Sequence, residues 1–166
     1  MNAILWRTAD LFALLAGLAL FVIVAVTTTN TGAFILDRIA GAFGADVTGL
    51  PGYEDFVQLA ISGIALMFFP FCQANRGHVS VDLLMDRLPQ AVQQNVDRVW
   101  LVLTAGVALF LAYWMVLGLL EARDDGAVTS VLGWPVWPFY LPGIVSMGLW
   151  GLVALAQIRG ELEQHA

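Results

Sequence analysis

The side chains of this 166-residue chain that could do chemistry are concentrated in one polar segment, QANRGHVSVDLLMDRLP, at residues 73–89. His78, Asp82 and Asp86 recur there at four-residue intervals, which places them on one side of a helix. An imidazole and two carboxylates in this arrangement could hold a divalent cation. A solvated helix face, with an aspartate near the helix start, explains the same pattern. We favour the solvated face, and the sequence therefore predicts no metal site.

Other reactive groups lack the partners that their chemistry needs. Cys72, the single cysteine, has no histidine or other base in its motif to activate it as a nucleophile. A haem would need axial ligands inside the apolar runs, whereas His78 lies in the polar segment and His165 lies one residue from the end. The sequence contains no Gly-rich phosphate loop, catalytic triad or Cys/His metal spacing. We expect a protein that is not an enzyme, without catalytic residues, cofactor or metal.

Four long apolar runs are the elements that flank and position these residues. The chain is 60% hydrophobic and 12% charged, whereas soluble domains are typically about 25% charged. Each run approaches the roughly 20 residues that a helix needs to cross a bilayer. The predicted fold is an all-α membrane protein, a single integral membrane domain over residues 1–166, with transmembrane helices at about 9–28, 56–72, 99–120 and 136–158.

The first apolar run is interpreted as a retained membrane anchor rather than a signal peptide. It is longer than a usual signal core and has no convincing small-x-small cleavage site. Between the first two spans, a short interfacial helix is predicted from the spacing of Phe34, Ile35, Ile39 and Phe43.

Two features of the runs predict packing between helices. Small residues at four-residue spacing allow close approach, in the pairs Ala13 with Gly17 and Ala108 with Ala112. Trp114 and Trp150 lie deep in their spans, and their indole N–H groups need hydrogen-bond acceptors.

The central polar segment predicts a helix end, a short surface helix and a new helix start. Gly77 suits a left-handed helix stop, and Arg76 complements the negative end of the helix that arrives there. Ser80 can cap the surface helix, whose apolar face is formed by Val81, Leu84 and Leu88. Pro89 suits the first turn of the next helix.

The distribution of charge predicts the orientation in the membrane. Four spans place both termini on one side, and cytoplasmic termini leave five arginines inside (Arg7, Arg76, Arg87, Arg98, Arg159) and two outside (Arg38, Arg123), as the positive-inside rule requires. The central segment is then cytoplasmic, and the opposite face is acidic. On that acidic face, Glu54 and Asp55 complement the start of the second span, with docking of a partner as the alternative.

None of the four predicted spans has an Asp, Glu, Lys, Arg or His residue in its interior, where such residues usually mark an ion path, proton relay or cofactor ligand. The net charge of −6 and the lack of a basic stripe exclude nucleic acid as a partner. These observations favour a scaffold that supports another membrane protein. A membrane anchor subunit of a redox enzyme is the alternative, with its quinone or haem site completed by a partner. A small self-assembling channel or multidrug protein is disfavoured, because it would need a polar ring in a span.

Three stretches resemble the DctQ-like small membrane subunit of tripartite ATP-independent periplasmic (TRAP) transporters: GYEDFVQL at the second span, GHVSVDLLMDRLP between spans two and three, and TSVLGWPVWPFYLP at the fourth. The resemblance covers nearly the whole chain. The family often has two glycines before His78 and a basic residue at position 80, whereas this chain has Arg76, a single Gly77 and Ser80.

The resemblance implies a bacterial inner-membrane uptake system of three proteins. A periplasmic solute-binding protein would capture an organic acid or similar solute, and a large permease subunit would carry it inward with sodium. The small subunit would be a static scaffold in contact with the lipid bilayer. Its candidate partner-contact residues are Arg76, Gly77, His78, Asp82, Asp86, Arg87, Glu54 and Asp55, and we predict that Asp82 and Arg87 fix the surface helix against the large subunit.

Overall fold

The computed structural model describes residues 2–75 and 89–160. Within those ranges four helices are long and apolar enough to cross a membrane: Ala3–Gly41, Tyr53–Ala74, Asn95–Asp124 and Trp137–Ile158. The prediction of an all-α protein with four membrane-spanning helices is confirmed. The surface helix predicted between the second and third spans lies outside the described residues.

Helix α1 (Asn2–Gly41) is a single helix of 40 residues, about 60 Å long at 1.5 Å per residue. It runs through the segment for which the sequence predicts a separate interfacial helix, so that prediction is wrong. Gly32 is the helix-weakening residue in between, and one glycine costs a helix only about 1 kcal/mol. The apolar side chains of Phe34, Ile35 and Ile39 therefore extend the exposed surface of α1 itself.

The buried residues of α1 recur at intervals of seven: Ala9, Ala16, Ile23 and Asn30. A seven-residue repeat is typical of helices that pack side by side at a small crossing angle. The predicted small pair of α1 does not lie in this stripe. Gly17 is exposed, and a Cβ built on it meets no atom within 4 Å. Ala9 and Ala16, rather than Ala13 and Gly17, provide the buried small residues.

The second span is divided into helix α2 (Tyr53–Leu66) and helix α3 (Phe69–Ala74). Pro70 explains the division, because proline has no N–H to donate to the carbonyl of Leu66 four residues earlier. The hydroxyl of Ser146, on the last helix, donates to that carbonyl at 2.6 Å. The backbone group freed by the proline is thus satisfied by a neighbouring helix, as a membrane interior requires.

Helix α4 (Gln90–Asp124) is 35 residues long, so one helix begins directly after Pro89 and runs through the third span. A loop and a 3-10 helix (Trp137–Phe139) then lead to helix α5 (Tyr140–Ile158). Ala108 of α4 is fully buried, and its Cβ would lie 3.6 Å from a Cβ built on Gly151 of α5. The predicted close approach at Ala108 is confirmed.

Helix α5 is central: α4 packs along it, and α2 and α3 pack on it as well, while α1 lies against α2 and α3. A core of Ala108, Met147 and Trp150 joins α4 to α5. Toward the end of α5, Val153 and Ala156 pack against Leu5, Trp6 and Ala74. The start of α1, the end of α3 and the end of α5 therefore share one end of the bundle, as expected of four alternating spans.

Candidate functional site

Six of the eight predicted partner-contact residues lie outside the described residues: Arg76, Gly77, His78, Asp82, Asp86 and Arg87. The structure describes the chain on either side of them. Helix α3 ends at Ala74, and the side-chain amide of the following Asn75 donates to the carbonyl of Phe71 at 3.0 Å. Pro89 precedes the first residue of α4. We refer to residues 76–88 as the central segment.

Three buried side chains join α3 to α5 beside the central segment. The amide of Gln73 donates to Oε1 of Gln157 at 2.6 Å, and the amide of Gln157 donates to the main-chain carbonyl of Gln73 at 2.8 Å. The indole N–H of Trp150 donates to Oε1 of Gln73 at 3.2 Å. Polar groups inside a membrane bundle need such partners. This polar network therefore fixes the last turn before the central segment against α5.

The network confirms that Trp150 has an acceptor, but the sequence did not identify Gln73 and Gln157 as its members. A signal was present. Gln73 and Gln157 are polar residues at the ends of the second and fourth spans, and these spans run in the same direction through the membrane. Their ends must therefore reach the same membrane face, which makes contact between them possible.

At the opposite end of the bundle, Asp55 holds the loop that precedes α5. The backbone N–H groups of Val131 and Leu132 both donate to Oδ2 of Asp55, at 2.7 and 3.0 Å. Asp55 is also in the first turn of α2, where the sequence places it as a complement to the helix N-terminus. One of the two acids proposed for partner contact is thus bound to this chain's own backbone.

The loop held by Asp55 is a small hairpin over residues 127–136. Its two sides are joined by the N–H of Thr129 to the carbonyl of Trp134 (2.9 Å) and the N–H of Val136 to the carbonyl of Ala127 (3.0 Å). Gly133 has a positive φ of 64°, a conformation that glycine adopts without strain. The TSVLGWP stretch therefore forms a tight turn whose tip is fixed to α2.

The return loop after α1 is bound in the same way. Oδ1 of Asp37 accepts the N–H of Val47 at 2.9 Å, and Oδ1 of Asn30 accepts the N–H of Leu50 at 2.7 Å. Gly49 lies so close to Asn30 that a Cβ would be 2.6 Å from the amide oxygen. This end of the molecule is therefore built from two loops, each attached to a helix through a side-chain oxygen.

The acids that remain exposed at this end are Asp46, Glu54, Glu121, Asp124 and Asp125. Glu54 accepts a hydrogen bond from the hydroxyl of its neighbour Tyr53 at 3.2 Å. Arg123 lies beside them with its guanidinium carbon 5.9 Å from the centre of the Trp137 ring, a cation–π distance. The exposed surface is thus negative, as the sequence predicts.

A groove of about 590 Å³ lies between α2 and α4, with the hairpin loop and the 3-10 helix at one end. Helix α2 contributes Asp55, Gln58, Leu59, Ser62 and Leu66 to its wall. Gly63 lets α2 lie close to the 3-10 helix, because a Cβ there would lie 3.1 Å from the carbonyl oxygen of Phe139. The groove is polar near Asp55 and apolar near Leu66.

Among the described residues, no group of three or more His, Cys, Asp or Glu side chains could hold a metal ion. Cys72 is a half-buried free thiol in α3. The apolar sides of α1 and α4 expose large side chains, among them Leu14, Leu18, Phe21, Leu103, Phe110 and Trp114. These surfaces suit lipid or a partner's helices.

Comparison with protein families gives a match over residues 39–164 to the family described as tripartite ATP-independent periplasmic transporters, DctQ component. The match includes the second, third and fourth spans, the central segment and the hairpin loop. Comparison with curated proteins and with solved structures gives no match.

Proposed function

The chain belongs to the DctQ family of TRAP transporter components, and from this premise we propose that it is the scaffold subunit of a binding-protein-dependent uptake system. Its partners are a large permease subunit, a periplasmic solute-binding protein and the lipid bilayer. The large subunit carries an organic acid or a similar solute, driven by sodium. A redox-enzyme anchor is not favoured, because the family is one of transporter components.

The observation that carries this proposal is the absence of charge from the middle of every span. No Asp, Glu, Lys, Arg or His side chain lies between Asp10 and Asp37, between Asp55 and Arg76, between Arg98 and Glu121, or within 137–158. Coupling ions and charged solutes need polar or ionisable partners inside the membrane. This chain is therefore suited to supporting a transporting partner.

The two ends of the bundle support different contacts. The exposed acids at one end suit a basic patch on the binding protein, since they would repel an anionic solute. The polar network at the other end fixes α3 where the central segment begins. We propose that the central segment, through Asp82 and Arg87 above all, contacts the large subunit.

Reconstitution in vesicles tests the scaffold role. The full-length chain alone should show no sodium-dependent uptake, whereas the chain with its large subunit and binding protein should show uptake. Uptake by this chain alone would reject the scaffold role.

The same preparation tests the contact role of the central segment. Asp82→Leu should reduce the amount of large subunit that co-purifies with the chain. Asp97→Leu makes the same chemical change at an exposed position of α4 and should leave co-purification unchanged. Equal assembly and uptake with both variants would remove Asp82 from the interface.

A further inference from the structure

The groove between α2 and α4 has the dimensions of a ligand site. Its volume of about 590 Å³ lies within the range of roughly 300–1,000 Å³ that is typical of small-molecule sites. Asp55 and Leu66 mark its length along α2, and eleven residues of helix correspond to about 16 Å. The groove is thus a long slot that runs along the membrane-crossing direction.

The polarity of the groove changes along that direction. Asp55, Thr129 and Ser130 line the end at the hairpin loop. Gln58 and Ser62 continue a narrow polar strip along α2, and Leu66 and Met115 line the groove farther into the span. The polar end lies at the start of α2, where this helix meets a membrane surface. This holds for either orientation of the chain in the bilayer. A polar end at the surface and an apolar slot below it match the two parts of a membrane lipid.

We propose that this groove binds one phospholipid with an ethanolamine headgroup, with the ammonium group at Asp55 and one acyl chain along Leu59, Leu66 and Met115. The lining includes one acidic residue and no basic residue, which favours a cationic amine over an anionic headgroup. An ammonium group donates charge-assisted hydrogen bonds to a carboxylate. Oδ2 of Asp55 already accepts two backbone N–H groups, and a carboxylate offers about four acceptor sites.

The lining favours a lipid over a helix of a partner protein, because a lipid carries a charged head for Asp55 and an apolar chain for Leu59, Leu66 and Met115 in one molecule. An acyl chain is far thinner and can follow the slot between two helices. The amine of ethanolamine has N–H donors for Asp55, whereas a choline headgroup has none.

Lipid retention by the full-length chain tests the proposal. Native mass spectrometry of the chain, purified in mild detergent with phosphatidylethanolamine or phosphatidylglycerol added, should show one ethanolamine lipid retained and roughly tenfold less of the glycerol lipid. Ser62→Trp fills the groove and should abolish that retention. Ile61→Trp places the same ring at an exposed position next to it on α2 and should retain the lipid.

A second measurement does not depend on a variant. Phosphatidylethanolamine should raise the thermal unfolding temperature of the wild-type chain more than phosphatidylglycerol or phosphatidylcholine does. Equal effects of the three lipids, or equal retention by Ser62→Trp and wild type, would overturn the proposal. Loss of a co-expressed large subunit from Ser62→Trp, with lipid retention unchanged, would assign the groove to that partner instead and also overturn it.

Discussion

At the scale of single residues, Ser146 compensates for a backbone hydrogen bond that Pro70 removes. The proline removes the N–H that would bind the carbonyl of Leu66, and the membrane interior has no water to replace it. The hydroxyl of Ser146 supplies the missing donor from α5. A break in the second span is thereby converted into a contact between two spans.

We therefore expect Ser146→Ala to destabilise the chain by about 1 kcal/mol, as loss of one interhelical hydrogen bond does. In a Pro70→Ala background the backbone N–H at position 70 can bind Leu66, so the same substitution should cost less. Thermal and denaturant unfolding of the wild type, the two single variants and the double variant measures how far the cost of Ser146→Ala depends on Pro70. An equal cost in both backgrounds would show that Ser146 does not compensate for the proline.

The polar network shows a similar division of roles among residues. Gln73 accepts from Trp150 and exchanges two hydrogen bonds with Gln157, so each buried amide has a partner on another helix. Replacement of one member leaves the others unsatisfied, which is the costly case for buried polar groups. The network is therefore a reason for α3 and α5 to keep one relative position.

At the scale of elements, the hairpin loop before α5 depends on α2. At its tip, the backbone N–H groups of Val131 and Leu132 both donate to the carboxylate of Asp55 on α2. Gly52, at φ 76°, also lies against Leu132, because a Cβ there would be 2.6 Å from that side chain. The start of the second span and the entry to the fourth thus form one unit.

Asp55→Ala should free the hairpin tip, and hydrogen exchange at the amides of Val131 and Leu132 should become roughly tenfold faster. Glu54 is the neighbouring acid, and its described hydrogen bond is with Tyr53 rather than with the loop. Glu54→Ala should therefore leave this exchange unchanged. Exchange mass spectrometry of the hairpin peptide measures both. Unchanged protection in Asp55→Ala would show that the loop holds its shape without α2.

At the scale of the whole molecule, the structure places two loops at one end of the bundle and the start of α1 and the end of α5 at the other. The arginine distribution predicts that the end with the chain termini is cytoplasmic. The long apolar sides of α1 and α4 leave room for lipid and a large partner around this arrangement.

Labelling of single cysteines tests the orientation, in a Cys72→Ser background. On intact cells, a membrane-impermeant maleimide should label Asp46→Cys, in the return loop after α1. It should label Arg159→Cys, after α5, only once the membrane is permeabilised; both positions are exposed. The parent with Cys72→Ser alone controls for background. The reverse pattern would invert the proposed topology.

The sequence by itself determined that four helices cross the membrane, because apolar length is a local property that each run carries alone. It also predicted the close approach at Ala108 and an acceptor for Trp150. It did not predict the length of α1, because the spacing of Phe34, Ile35, Ile39 and Phe43 suggested a separate interfacial helix where α1 continues.

Only the tertiary structure decided which polar groups meet. The bonds of Gln73 to Gln157, Ser146 to Leu66 and Asp55 to Leu132 join residues 84, 80 and 77 positions apart. Each depends on the order of the helices and on their rotation about their axes. The sequences of four helices that are apolar on nearly all sides predict neither the order nor the rotation, because lipid accepts any apolar face. The few buried polar contacts select one arrangement.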